Sequence, residues 1–308
     1  MARRGIAVLL LGAVALAAGC DRSPTSTTRA ADAEARLFNA MRQDDFTAVG
    51  DIIGTMYDIQ QSDPTNRRNE FLLGATSFWW VAEANRPGAN SLAIISQSIP
   101  LVVQTFPDII QNDPANADVA TALFGAFLMG SGFSPTTGDS LVNIAIKRMP
   151  TNGYFQRMYT RRLAFVSDTL TAQAVEAGWN FWDTCTGTHV DRANPDFTTL
   201  VRPPEDDGNP TRFCWGSARV PHGYEGAWLI FGDLLVKNGQ LAAARRAYLN
   251  ARLGANYATW KYKAVLESRL VEDLSQRQAT YNAFDQTTWA SIGVPPYECT
   301  QCHANASP

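Results

Sequence analysis

A nine-residue pattern occurs twice in this chain, and it dictates a repeat architecture. Asp58-Ile59-Gln60-Gln61-Ser62-Asp63-Pro64-Thr65-Asn66 returns as Asp108-Ile109-Ile110-Gln111-Asn112-Asp113-Pro114-Ala115-Asn116, with six of nine positions identical at an offset of 50. In each copy Asp precedes Pro. This pair reads as an N-cap carboxylate followed by Pro at the first helical position, where no amide donor is needed. One helix ends, the chain turns, and another begins. The preceding segments carry helical spacing, through Phe46, Val49, Ile52, Ile53, Met56 and Ile59 and through Leu92, Ile95, Ile99, Val102, Phe106 and Ile109. So do the following ones, through Phe71, Ala75, Phe78, Trp79 and Ala82 and through Val119, Leu123, Phe127 and Gly130. No strand signal is long enough to make a sheet, so the expectation is an all-α array of antiparallel helical hairpins.

A third hairpin carries the pattern further. Trp228, Phe231, Gly232 and Leu235 lead into Gly239, then Ala244, Tyr248 and Ala251. Gly232 and Ala244 are small enough to let two helices touch, Trp228, Leu235 and Tyr248 fill the surrounding groove, and Asn238-Gly239 makes the turn. This spacing resembles a tetratricopeptide repeat over about 34 residues, departing from it where Asn256 replaces the expected closing Pro. The resemblance implies a superhelix whose concave face docks a protein partner. The hairpins at 32–183 are diverged from it, with an insertion around Arg86-Pro87-Gly88 and a loop at Ser131 to Gly138; those at 224–290 are closer. Between them, 184–223 breaks the helical pattern with prolines and glycines and reads as an irregular insertion.

The N-terminus speaks to location. Arg3 and Arg4 precede an apolar run from Ile6 to Ala18 that is too short to span a bilayer permanently, the layout of a signal peptide. Leu16-Ala17-Ala18-Gly19-Cys20 resembles a lipobox. That resemblance implies cleavage of 1–19, diacylglycerol on the Cys20 thiol, and a polar tether at 20–31. Asp21 resembles an inner-membrane retention signal, which leaves the choice of membrane open. Removing the signal takes two arginines from 26 basic side chains set against 29 acidic, so the mature chain is acidic and nothing in it asks for nucleic acid. The expected place is the extracytoplasmic face of a bacterial membrane.

Five cysteines carry the remaining chemistry: Cys20, Cys185, Cys214, Cys299 and Cys302. An exported protein seldom keeps idle thiols. Cys299-Thr300-Gln301-Cys302-His303, in the tail at 291–308, resembles the C-x-x-C-H attachment site of c-type haem, which implies two thioether bonds and His303 as an iron ligand. A distal ligand must come from earlier in the chain. His222 is the preferred one, with Trp215, Trp228 and Trp260 as a possible apolar wall; His189, Met149, Met158 or five-coordinate iron are the alternatives. Cys185 and Cys214 bracket the irregular insertion, and a disulfide between them would close about 30 residues, worth roughly 3 to 4 kcal/mol. The rival is a zinc site from Cys185, His189, Cys299 and Cys302. A thioredoxin-like dithiol lacks the strand and long helix its motif needs.

No nucleophile elbow or phosphate loop appears, and Asp206-Asp207 reads as a solvated turn, so the chain is an electron carrier or a scaffold rather than a hydrolase. Two functions remain: an anchored haem protein whose repeats dock a redox partner, or a non-haem scaffold lipoprotein for envelope assembly or transport.

Overall fold

A computed structural model describes residues 25–84, 86, 88–131, 133–157, 168–198, 214–215, 220–283 and 298–306, and of 157, 168–170 and 298–300 the main chain alone. These residues are all-α, and the contact closest to a strand among them is one antiparallel bridge between Trp260 and Asn305. The helices are α1 (Ser26–Gln43), α2 (Val49–Ser62), α3 (Arg67–Ala82), α4 (Ser91–Asn112), α5 (Ala117–Ser131), α6 (Pro135–Arg148), α7 (Gly153–Arg157), α8 (Asp168–Thr186), α9 (Gly223–Lys237), α10 (Leu241–Ala251), α11 (Lys263–Val271), α12 (Leu274–Asn282) and α13 (Glu298–His303). Most sequential neighbours pack as helical hairpins that build a superhelix, while α12 packs back on α9.

The third hairpin follows its sequence logic. Trp228, Leu235, Ala244 and Tyr248 are wholly buried, Gly239 takes φ +77° in the turn, and the ring of Tyr248 lies across Gly232. A second close crossing joins α5 to α6. There a Cβ on Gly125 would stand 2.7 Å from the Gly138 carbonyl oxygen, so the two backbones touch. Gly138 is therefore helical and in contact, rather than part of a loop as expected, because α6 already begins at Pro135.

The repeated Asp-Pro motif makes the expected turns by a different device. Asp63 and Asp113 cap the helices that end: their amides donate to Ile59 and Ile109 carbonyls at 2.8 and 2.9 Å. Their carboxylates accept bonds within the turn, Asp63 from the Thr65 hydroxyl at 2.8 Å and Asp113 from the Ala115 amide at 3.2 Å, and Asp63 also accepts from the Ser26 hydroxyl of α1 at 2.7 Å. The next helices start beyond the proline, at Arg67 and Ala117, and Asn66 is the N-cap of α3, accepting from Asn69 N at 3.0 Å.

In α2 the expected stripe of Val49, Ile52, Ile53, Met56 and Ile59 is the buried face. In α4 the stripe agrees from Val102 onward but is out of phase before it: Ile94 and Ser98 are buried, while Leu92 and Ile95 face outward. Leu92, Ile94 and Ile95 are all apolar, so periodicity alone could not select the phase.

The irregular insertion starts later than the expected 184, because α8 continues to Thr186. Cys185 in its last turn forms a disulfide with Cys214, with Cα atoms 5.5 Å apart. Beside the bridge, Trp182 stacks on Trp228 at 3.7 Å, and Trp215, Phe197 and Tyr224 complete the cluster. A smaller separate core joins α1, α2 and α3 through Leu37, Met41, Ile52, Met56 and Trp79.

Candidate functional site

The tail motif does not project from the body. α13 lies in a seam between α9 and α1, so that the last described helix touches the first. Main-chain bonds fix it. The Asn305 amide donates to the Arg42 carbonyl at 2.9 Å, the Ala306 amide to Thr259 at 2.7 Å, and the Lys261 amide to Ala304 at 3.4 Å. The indole N–H of Trp260 donates to the Gln301 carbonyl at 2.7 Å, and Gln301, Cys302 and Ala304 are buried. His303 is half-buried, its ring stacked on Phe38 of α1 with centroids 6.5 Å apart.

Charges tie the rim of the same seam. Asp44 ends α1 in the left-handed region at φ +55° and pairs with both Arg86 and Lys261, while Arg86 also reaches Glu83 at 2.8 Å. Arg86 lies over the Phe46 ring at 4.7 Å. Burial opposes the charge on Arg86, but Glu83 and Asp44 outweigh it and raise its pKa.

Of the expected haem-binding residues, the fold brings His222, Cys302 and His303 together. Cys20 and the Cys299 side chain lie outside the described residues, as does Met158. His222 is fully buried at the start of α9; its amide donates to the Cys302 carbonyl at 2.9 Å, and its Nε2 meets Asn305 Oδ1 at 2.8 Å. Its Nδ1 is buried without a hydrogen-bond partner among the described residues. Burial lowers the His222 pKa, and the Asn305 bond works in the other direction.

This arrangement does not fit a haem held between His303 and His222. Two imidazoles on one iron stand on opposite faces of the porphyrin, so two rings and the metal separate their main chains. Here the His222 amide bonds directly to the residue before His303, so in this conformation the two imidazoles are not placed to hold one iron between them. The sulfur of Cys302 is equally constrained. It lodges against Gly226, where a Cβ would come within 2.6 Å of Sγ and 2.9 Å of the Gln301 oxygen. A porphyrin edge bonded to that sulfur would occupy the place of the α9 backbone.

The other candidates are dispersed. Trp215 and Trp228 share the aromatic cluster beside the disulfide, whereas Trp260 packs with Tyr257 and Tyr262 under α13, so the three form no common wall. Met149 is half-buried against the main core. His189 is exposed and pairs with Asp183 at 3.0 Å. The zinc alternative fails because the Cys185 sulfur is in the disulfide, and no cluster of three or more metal-ligating side chains occurs among the described residues. Sequence reasoning missed Asn305, Phe38, Arg42, Asp44 and Gly226. Each acts through a partner remote in the chain, a relation that local spacing does not encode.

No family model matches this chain, nor does any curated protein or solved structure.

Proposed function

We propose that the protein is a lipid-anchored extracytoplasmic scaffold, tethered to a bacterial membrane through Cys20, whose tetratricopeptide-like hairpins dock a protein partner. The observation that supports a scaffold over a haem carrier is the Cys302 sulfur packed against Gly226, where the tail motif serves the fold. The anchor rests on the signal-like N-terminus and on the small residues before Cys20.

Fractionation of a native host tests the anchor: the protein should appear in membranes, and Cys20→Ala should release it or leave it unprocessed. Soluble wild-type protein with an unlipidated terminus would overturn that part. For the partner, photo-crosslinking groups at Leu92, Ile95 and Val103 are well placed. All three are exposed on α4, which carries no charge from Ser91 to Pro107. A defined protein adduct in membranes supports the reading; crosslinks to lipid alone count against it.

The second reading, a single-haem electron carrier, draws its support from the C-x-x-C-H motif in a chain bearing an export signal. It requires α13 to leave α9. Intact mass after expression with a periplasmic haem-ligation system separates the two, one covalent haem on Cys299 and Cys302 favouring the carrier.

A further inference from the structure

We infer that residues 298–306 are a latch that fastens α1 to α9 and closes the superhelix on itself, so the C-x-x-C-H motif here does the work of a structural clasp. The inference deepens the scaffold reading and rests on it in treating the tail as structural; lipidation does not enter.

The bonds are distributed for that task. Asn305 reaches α1 through Arg42 O, while its side chain reaches the start of α9 through His222 Nε2. Ala304 and Ala306 bond the segment before α11 at Lys261 and Thr259, and Trp260 closes over Gln301. One short stretch thus contacts the first helix, the ninth and the loop after the tenth. Without it, the ties of α1 among the described residues would run chiefly to α2, α3 and, through Asp44, to Arg86 and Lys261.

Cys302 has a defined part. A helix presenting glycine to a neighbour allows close approach, and at this approach the Cys302 sulfur fills the notch that Gly226 leaves. A bulkier sulfur substituent and the closed seam exclude each other, so thioether formation and latching compete for one atom.

Amide hydrogen exchange on the purified mature chain tests the latch. In wild type the Asn305, Ala306, Lys261 and His222 amides, all donors across the seam, should be protected. Gly226→Ala should wedge the seam and speed their exchange by about tenfold or more, leaving α5 and α6 unchanged. Adding Cys302→Ala to Gly226→Ala should restore part of the protection, a rescue that a merely destabilised α9 would not show. Deletion of 298–308 should expose the His222 and Lys261 amides and loosen the last turn of α1. Covalent haem on the wild-type protein, unprotected amides at 305 and 306, or exchange unaltered by the deletion would each overturn the latch. None of these readouts depends on Cys20, so failure here leaves the anchored scaffold standing, and a soluble unlipidated protein leaves the latch standing.

Discussion

Tyr248 covers Gly232: a Cβ at that glycine would meet the tyrosine ring at 2.2 Å, so α9 and α10 approach to a distance only glycine permits. Gly232→Ala should therefore destabilise the protein by roughly 1 to 3 kcal/mol through overpacking, despite the better helix propensity of alanine. Gly54 in α2 is exposed, with nothing within 4 Å of its would-be Cβ. There the same substitution should stabilise by about 0.5 to 1 kcal/mol. Urea midpoints for the two variants should move in opposite directions.

Asp233, Arg269 and Tyr248 form a buried polar cluster. Arg269 Nε donates to Asp233 Oδ1 at 3.1 Å, and the Tyr248 hydroxyl donates to the same oxygen at 2.7 Å. Asp233 and Arg269 are about 1% and 2% exposed, which makes either charge costly once its partner is gone. Arg269→Met alone should cost on the order of 3 to 5 kcal/mol, whereas Arg269→Met with Asp233→Leu should cost less than that single change. Additive losses in the double-mutant cycle would refute the pairing.

Asp183 governs a local acid response. Burial works against its charge, but Arg192, the Val190 amide and His189 outweigh it and hold its carboxyl below the ordinary range. A depressed carboxyl contributes its full stability above the unfolded value near pH 4 and loses it as pH falls through the folded value. Asp183→Asn should destabilise by roughly 1 to 3 kcal/mol at neutral pH. Its difference from wild type should shrink as denaturation midpoints are measured down to pH 3, and a constant difference would show that the charge is not the cause.

The disulfide between Cys185 and Cys214 spans 29 positions. Replacing both by Ala should cost roughly 3 to 4 kcal/mol and leave helix content unchanged. Non-reducing peptide mapping of wild type should find the two peptides joined, and alkylation of both as thiols would rule the bridge out.

How far the sequence was legible depends on the distance between partners. The α2 stripe, the Gly232 contact and the Asn238-Gly239 turn are set within one or two helices, and they were readable there. The disulfide was readable because two cysteines bracketed one irregular stretch. The Asp-Pro turns were placed rightly but with the wrong chemistry, since it is the main-chain amide of each aspartate that closes the ending helix, a role any residue but proline can fill. The seam was not legible at all: Asn305 finds its partners at Arg42 and His222, and nothing near position 305 distinguishes it from any polar tail residue. The motif beside it has an established chemical meaning, and only the position of Gly226 argues that the sulfur is needed elsewhere.

The contact of the last helix with the first also fixes how many hairpins the molecule can hold. An open array tolerates duplication or loss of a unit, since each repeat meets only its neighbours and capping units shield the two ends. Here the first and last described helices are bonded to each other, and the rotation contributed by the hairpins between them must bring Asn305 back to Arg42. Insertion of one more hairpin between α3 and α4 would rotate the two ends out of register, breaking the Asn305–Arg42 bond and parting His303 from Phe38. The number of hairpins between α1 and α13 is then tied to the closure, where an open array could vary it.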